Sequence, residues 1–397
     1  MNPSINMKPF VKWAIIAPIL ASNLAQSQEA AIFRGGNDRA GVMESGPALQ
    51  GRILWQQRVG NNKIPGIYGD LIMSSPAVAE DTVYFGSQNG FLYALEASTG
   101  KERWKFQTGG CIHSSPAVVH GIVFFGSHDK HVYALDARTG KEKWKFRTDG
   151  LVRSSPAVWM KEVYHEVWDG QVFVGSEDGH LYALHADNGK LQWRFKTDGP
   201  VFSSPSVGDG IVHVGSLDGH LYALDAKTGK EKWRFKTGYW ITSVPTVREG
   251  RVYVSSWDGK LYALDAASGK KKWTFDTGMV LARHMTASPA VTEDLVLIAP
   301  QGFYQVGGSY LCALDIRNGK ERWRHPVKGT VESSPVAYNG LILLVDSSGC
   351  ISALELKTGR KDWECRINSG GGVASCPTVA GGRFFFGNHG GVITAVE

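Results

Sequence analysis

Little in this chain of 397 residues advertises chemistry. It has only five cysteines, Cys111, Cys312, Cys350, Cys365 and Cys376, and no two are adjacent, which excludes a disulfide-dense scaffold. The odd count leaves at least one thiol unpaired within a single chain. Cys350 and Cys365 flank one expected hairpin almost symmetrically, so a disulfide there and a set of buried free thiols both remain open. No Ser/His/Asp spacing or nucleophile motif stands out. Thr-Gly-Lys recurs at Thr139 and Thr228 but lacks the upstream glycine of a phosphate loop. Lys and Arg number 43 against 37 Asp and Glu, too even a balance to signal nucleic acid or a charged membrane surface. There is no low-complexity tract, and the 48 glycines fall at regularly spaced turns.

Long apolar runs are also missing. Trp13 to Ala21 is apolar but far too short to span a bilayer as a helix. Lys8 and Lys12 precede it, and Ala25-Gln26-Ser27 offers small residues for cleavage before Gln28, so residues 1–27 read as a signal peptide. Its removal takes away two lysines and no acids, leaving 41 bases against 37 acids. No cysteine lies near that junction to carry a lipid, and no transmembrane anchor is expected. The mature chain is expected to be periplasmic or secreted.

What is present is repetition. Trp55, Trp104, Trp144, Trp193, Trp233, Trp273, Trp323 and Trp363 each end a variant of one phrase, clearest in Ala134-Leu-Asp136-Ala-Arg-Thr139-Gly140-Lys-Glu-Lys-Trp144. Their spacings of 49, 40, 49, 40, 40, 50 and 40 residues describe a 40-residue unit with three insertions. Between tryptophans lie short runs rich in Val, Tyr and Phe, bounded by Gly, Asp or Thr-Gly. The unit from Ser114 to Arg153 holds four of them: Ser114–Val118, Ile122–Gly126, His131–Asp136 and Lys143–Thr148. These are strand lengths and strand residues. Four antiparallel strands per unit make a blade. The third strand reads Leu-Tyr-Ala-Leu-Asp-Ala in several copies and is apolar on both faces, as expected when neighbouring blades cover each sheet on both sides. The chain stops at Ala395-Val396-Glu397, midway through the phrase, while Gln50 to Trp55 supplies the missing Gly-x-x-x-Trp half. The expected fold is therefore all-β, an eight-bladed β-propeller over 50–397. An N-terminal strand completes its last blade, which removes open sheet edges. Residues 28–49 form a segment leading into it.

The phrase Ala-x-Asp-x-x-Thr-Gly-x-x-x-Trp resembles the tryptophan-docking motif of the pyrroloquinoline quinone (PQQ)-like propeller repeat family. Copies from Ala134, Ala223, Ala263 and Ala313 keep its Ala, Asp, Gly and Trp, and the likeness covers Gln50 to the C-terminus. It implies the eight-bladed fold, but the family includes both PQQ dehydrogenases and BamB-like exported propellers that bind no quinone. The dehydrogenases are typically longer, with a calcium site of Glu, Asn and Asp and often a vicinal disulfide. Phe33-Arg34-Gly35-Gly36-Asn37 resembles the leading segment of exported members.

Candidate functional positions come from comparing repeat with repeat, since positions that vary are free of the blade's own packing. Ser-Ser-Pro opens most first strands, at Ser74, Ser114, Ser154, Ser203 and Ser333. The residue before this position varies around the ring: Met73, His113, Arg153, Phe202, Thr242, Thr286, Glu332 and Ala374. These should ring the channel mouth, together with Gln88, His128, Glu177, Trp257, Gln301 and His389 from the second-to-third strand turns. Insertions add Tyr239-Trp240, Arg283-His284 and Phe303-Tyr304-Gln305. Aromatics beside Arg, His and Glu suit a planar anionic ligand or a protein partner; ordinary loop variation is the plainer reading. The Asp-Gly pairs at Asp178, Asp218 and Asp258 read as tight hairpin turns, and His180 and His220 lack a third ligand, so no metal is expected.

The resulting expectation is a non-enzymatic binding or assembly scaffold that needs no cofactor and meets cell-envelope proteins or a small ligand at the mouth. The alternative is a compact quinoprotein oxidising an alcohol or sugar with PQQ and calcium. In that reading Glu332 would face the ion, Arg153 the quinone carboxylates, and Trp240 or Trp257 would stack.

Overall fold

The computed structural model describes residues 33–36, 39–43, 46–60, 69–161, 169–278, 287–300, 309–367, 372–373 and 375–397. They form eight four-stranded antiparallel sheets. In seven blades the strands follow chain order; the first blade comprises Ala77–Ala79, Thr82–Gly86, Phe91–Glu96 and Glu102–Gln107. First strands of the first to sixth blades touch in succession, Ala77–Ala79 also touches Thr378–Ala380 of the eighth blade, and hydrogen bonds from Ser288 to Ser334 and from Ser334 to Cys376 link the sixth, seventh and eighth, so the first strands line a closed axis. Ile53–Arg58 is the outermost strand of the eighth blade, with Ile53 opposite Val396 and Arg58 opposite Val392. Third strands such as His180–His185 are buried along their central four residues, whereas outermost strands such as Leu191–Lys196 alternate between exposed and half-buried positions. The expected leader and Asn37 lie outside the described residues.

The tryptophan phrase holds adjacent blades together. In seven copies the indole Nε1 donates to a backbone carbonyl of the next blade, from Trp55 to Ala97 (3.0 Å) round to Trp323 to Leu356 (3.1 Å). Each ring lies on the glycine of that blade's own phrase: a Cβ on Gly140 would stand 2.7 Å from Trp104, and φ there is +70°. Only glycine satisfies both constraints. Asp136 shapes the turn by accepting from Thr139 N (2.8 Å) and Thr139 Oγ1 (2.7 Å). Trp363 docks on Gly51, where a Cβ would meet the indole at 2.9 Å with φ at +76°. The phrase divided between the chain ends is thus rejoined in space. Burying an indole of roughly 150 to 250 Å² contributes on the order of 4 to 6 kcal/mol of gross transfer energy as an upper bound.

The first strands begin later than expected, at Ala117 rather than Ser114, because the Ser-Ser-Pro residues are used in crossing between blades. The first serine secures its own blade, as where Ser114 Oγ accepts from Gly126 N (3.0 Å). The second binds the preceding blade: Ser75 N donates to Ser115 Oγ (2.9 Å), Ser115 N to Ser155 Oγ (2.9 Å) and Ser155 N to Ser204 Oγ (2.8 Å). Val244 has no side-chain oxygen and interrupts this belt. It resumes through Ser288 and Ser334 to Cys376 Sγ (3.2 Å), and Cys376 N closes it on Ser75 Oγ (2.8 Å).

All five cysteines are free thiols. Cys350 stands opposite Arg366 and Cys365 opposite Ile351, so the two side chains leave opposite faces of the sheet and no disulfide joins them.

The segment before the first strand runs inside the ring. A short 3-10 turn, Phe33–Gly35, touches the eighth blade's first strand. Arg34 donates to Thr246 Oγ1 (3.3 Å) and Pro289 O (2.5 Å), and Arg39 to Pro205 O (3.2 Å) and Pro156 O (2.6 Å). Val42 forms a parallel bridge with Ala337. One segment can reach the first strands of the third to eighth blades only from the axis. Arg34 and Arg39 are 1% and 0% exposed, an unusual burial for guanidinium groups, which here meet the Thr246 hydroxyl and the proline carbonyls just ahead of the first strands.

Candidate functional site

The crossings between blades and the second-to-third strand turns share one face, as the sequence comparison anticipates. One backbone bond repeats around it: Gln88 N donates to Leu71 O, His128 N to Cys111 O, Glu177 N to Leu151 O and Trp257 N to Trp240 O, each at 2.9 Å. In the blades where both residues are described, this bond sets the turn residue beside the residue that precedes the serine pair. The mouth is therefore a ring of two-residue stations on a rigid frame, with three occupied sectors.

In the first sector Gln88 Nε2 lies 3.2 Å from Met73 Sδ and 3.0 Å from His113 Nε2, linking the first and second blades. The His113 and His128 rings meet edge to face at 4.3 Å. Burial, then the neighbouring His128 and the Arg153 charge, push His113 down to about 3. Burial and Arg153 likewise push His128 down to about 4, so both imidazoles are neutral at ordinary pH. Arg153 pairs with Glu177 in the third blade and lies 5.2 Å over the Phe202 ring of the fourth.

The second sector is aromatic. Trp257 Nε1 donates to Thr242 Oγ1 (2.8 Å), which orients the indole. Trp240 packs against it at 5.2 Å and Tyr239 against Trp240 at 4.9 Å. Tyr239 and Trp240 are 47% and 38% exposed, unusual for such large apolar side chains. In the third sector Glu332 Oε2 lies 4.0 Å from His389 Nε2 across the seventh and eighth blades. Arg283, His284, Thr286, Gln301, Phe303 to Gln305 and Ala374 lie outside the described residues.

The arrangement offers a cation–π pair, an exposed aromatic platform and one solvent-facing carboxylate, which is equipment for recognition. Calcium requires six to eight oxygen ligands. Among the described residues no three His, Cys, Asp or Glu side chains converge, and the group facing Glu332 is an imidazole, so these residues do not fit the PQQ–calcium donor set. His180 and His220 each hold Nδ1 near their own turn's aspartate, at 3.0 and 3.1 Å, in keeping with a local surface role. Asp178 and Asp218 also accept from Tyr182 (2.9 Å) and Tyr222 (2.7 Å), which ties the Asp-Gly turns into the blade.

Sequence reasoning missed two features. One is the buried pair Arg34 and Arg39, whose signal was two arginines among glycines ahead of the first strand. The other is a cavity of about 590 Å³ on the opposite face, lined by Val42, Arg248, Asp294, Arg317, Arg322 and Tyr338. Its walls come from turns of several blades, so no local motif marks it.

A search of the curated proteins finds no match. Among solved structures, BamB from Moraxella catarrhalis superposes with a TM-score of 0.69 at 18% identity, covering 88% of this chain and 99% of that one. The quinohemoprotein alcohol dehydrogenase from Comamonas testosteroni gives 0.73 at 15% identity, over 96% of this chain and 82% of that one. A second quinohemoprotein alcohol dehydrogenase, from Pseudomonas putida HK5, gives 0.73 at 16% identity, over 91% and 79%. At such identities the likeness carries the fold and leaves function to the site. The family model described as "Outer membrane protein assembly factor BamB" matches residues 42–194, 177–308 and 280–397, nearly the whole ring, and the chain belongs to that family.

Proposed function

We infer that this protein is an exported, non-enzymatic propeller that acts as a binding or assembly scaffold, BamB-like in role as well as in family. In this reading residues 1–27 are removed on export, 28–49 seat the channel segment, and 50–397 present the mouth to a cell-envelope partner. One observation carries the reading: the axis is occupied by the chain's own residues 33–36 and 39–43, with Arg34 and Arg39 bonded to Thr246 Oγ1 and to the proline carbonyls just ahead of the first strands. A ring filled from within leaves its outer faces for recognition. The mouth then works through Trp240 and Trp257 as apolar anchors, with His113, Arg153, Phe202, Thr242 and Glu332 as polar and aromatic surroundings, and Arg283 and His284 assigned to the same rim. Central aromatic and arginine side chains are the usual anchors of such surfaces.

The quinoprotein reading is favoured by the superposition on dehydrogenases of this fold, and the donor set around Glu332 argues against it. Thermal unfolding with and without PQQ plus calcium separates the two. A ligand at 100 times its dissociation constant stabilises by about 2.7 kcal/mol. No shift in midpoint is expected; an upward shift that needs both additives would overturn the scaffold assignment. Replacing Arg153 and Trp240 together by alanine is expected to reduce retention of envelope partners while leaving the thermal midpoint unchanged. Undiminished retention would remove the mouth from the proposal.

A further inference from the structure

We propose that Met73, His113 and His128 form a binding site for a soft monovalent cation of the Cu(I) type, at the mouth between the first and second blades. The proposal is independent of the scaffold reading. Met73 Sδ and His113 Nε2 converge on one point, which the Gln88 amide nitrogen fills at 3.2 and 3.0 Å. Gln88 is a flexible, half-buried side chain on a turn that opens to the mouth. Swinging it outward frees the point, and bonds of about 2.0 to 2.3 Å then require the donors to close in by roughly 1 Å.

The third donor is His128. Its ring lies 4.3 Å from that of His113, and its Nε2 is buried with no hydrogen-bond partner. The unpartnered imidazole nitrogen therefore stands next to His113, which itself shares the Gln88 amide with the Met73 thioether.

The chemistry selects the ion. A thioether with two neutral imidazoles contains no anionic oxygen, so hard divalent ions such as calcium or magnesium gain nothing there. Soft sulfur with imidazole suits Cu(I). The Arg153 charge reaches both histidines and disfavours a divalent more than a monovalent cation. Blade architecture does not demand these residues, because the corresponding stations hold Arg153 with Glu177 in the third blade, Phe202 with Leu217 in the fourth and Thr242 with Trp257 in the fifth.

The test is anaerobic titration of the exported chain with Cu(I), kept reduced by ascorbate, in competition with the chromophoric chelator bicinchoninate. One equivalent is expected to bind. Changing His113→Asn and His128→Asn together is expected to weaken binding about 100-fold, and Met73→Leu about 10-fold, the scale of losing metal-site groups. Thermal midpoints of the variants confirm that they remain folded, and single changes to alanine replace any variant that does not. Binding through the buried thiols would survive the histidine changes and would overturn the proposal. So would failure to bind one equivalent, or a Met73→Leu variant with undiminished affinity.

Discussion

His213 occupies the middle of a second strand, opposite Ala223, where four of the other blades place Tyr84, Phe124, Phe173 or Tyr253 opposite the equivalent alanine. It is fully buried, with Nε2 3.2 Å from Ala266 O and Nδ1 unpartnered. Burial pushes it down to about 4, only partly opposed by the Ala266 bond. The unfolded chain takes up this proton near pH 6.5 and the folded chain not until about 4, so the unfolded state binds more protons between those values. The histidine's contribution is therefore complete above about pH 6.5 and is lost as the pH falls toward 4. At about 1.4 kcal/mol per pH unit, the loss reaches about 2 kcal/mol by pH 5. His213→Tyr should remove this loss, because Tyr84 in the first blade donates from its hydroxyl to the equivalent carbonyl, Ala137 O, at 3.1 Å. Unfolding free energies at pH 7 and 5 are expected to fall by about 2 kcal/mol more in the parent than in the variant. Equal losses would show that the acid response lies elsewhere. His113 and His128 are lowered in the same direction and are present in both proteins, so they cancel in the comparison.

Among elements, the tryptophan contacts between blades are alike in packing and unlike in bonding. Trp193 Nε1 donates to Ala226 O at 3.0 Å, whereas Trp363 Nε1 is buried without a partner against Gly51. The carbonyl that receives it in the other blades belongs to the turn preceding the Thr-Gly, and none bonds Trp363 Nε1 here. Trp193→Phe loses packing and a hydrogen bond; Trp363→Phe loses packing and relieves an orphaned donor. The first is expected to cost about 1 kcal/mol more than the second by denaturant midpoint at constant slope. Equal costs would mean that the indole bond contributes nothing net. The split phrase itself was legible in the sequence, since Gly51 and Trp55 keep its spacing. The missing bond was not, because it depends on how the final turn is replaced.

For the whole molecule, two devices close the ring, and deletion should separate them. Removing residues through Met43 takes out the axial segment and its two buried arginines but leaves Ile53–Arg58 on the last blade. The protein is expected to keep its β-sheet circular dichroism and the parent's state of association, with a lower thermal midpoint as water replaces Arg34 and Arg39 at the oxygens they bind. Removing residues through Arg58 also strips the outer strand from the eighth blade and exposes the Val392–Val396 edge. Light scattering is expected to show association for the longer deletion alone, because an unpaired apolar strand recruits partners. Association of both would locate the closure in the axial segment.

The sequence by itself determined the blade count, the strand order within each blade and the rejoining of the termini. All three follow from short-range patterns repeated at a fixed interval, and each repeat is one supersecondary unit. It also marked the stations of the mouth, because a rigid frame puts equivalent positions at equivalent places. Tertiary structure decided which stations touch: Gln88 with His113, Arg153 with Phe202, Tyr239 and Trp240 with Trp257, and Glu332 with His389. It alone placed Cys350 and Cys365 on opposite faces, since one residue of register reverses a side chain. Only the closed ring could show that Arg34 and Arg39 lie along its axis, because the oxygens they bind lie more than 100 residues away in the chain, with no local signature to announce them.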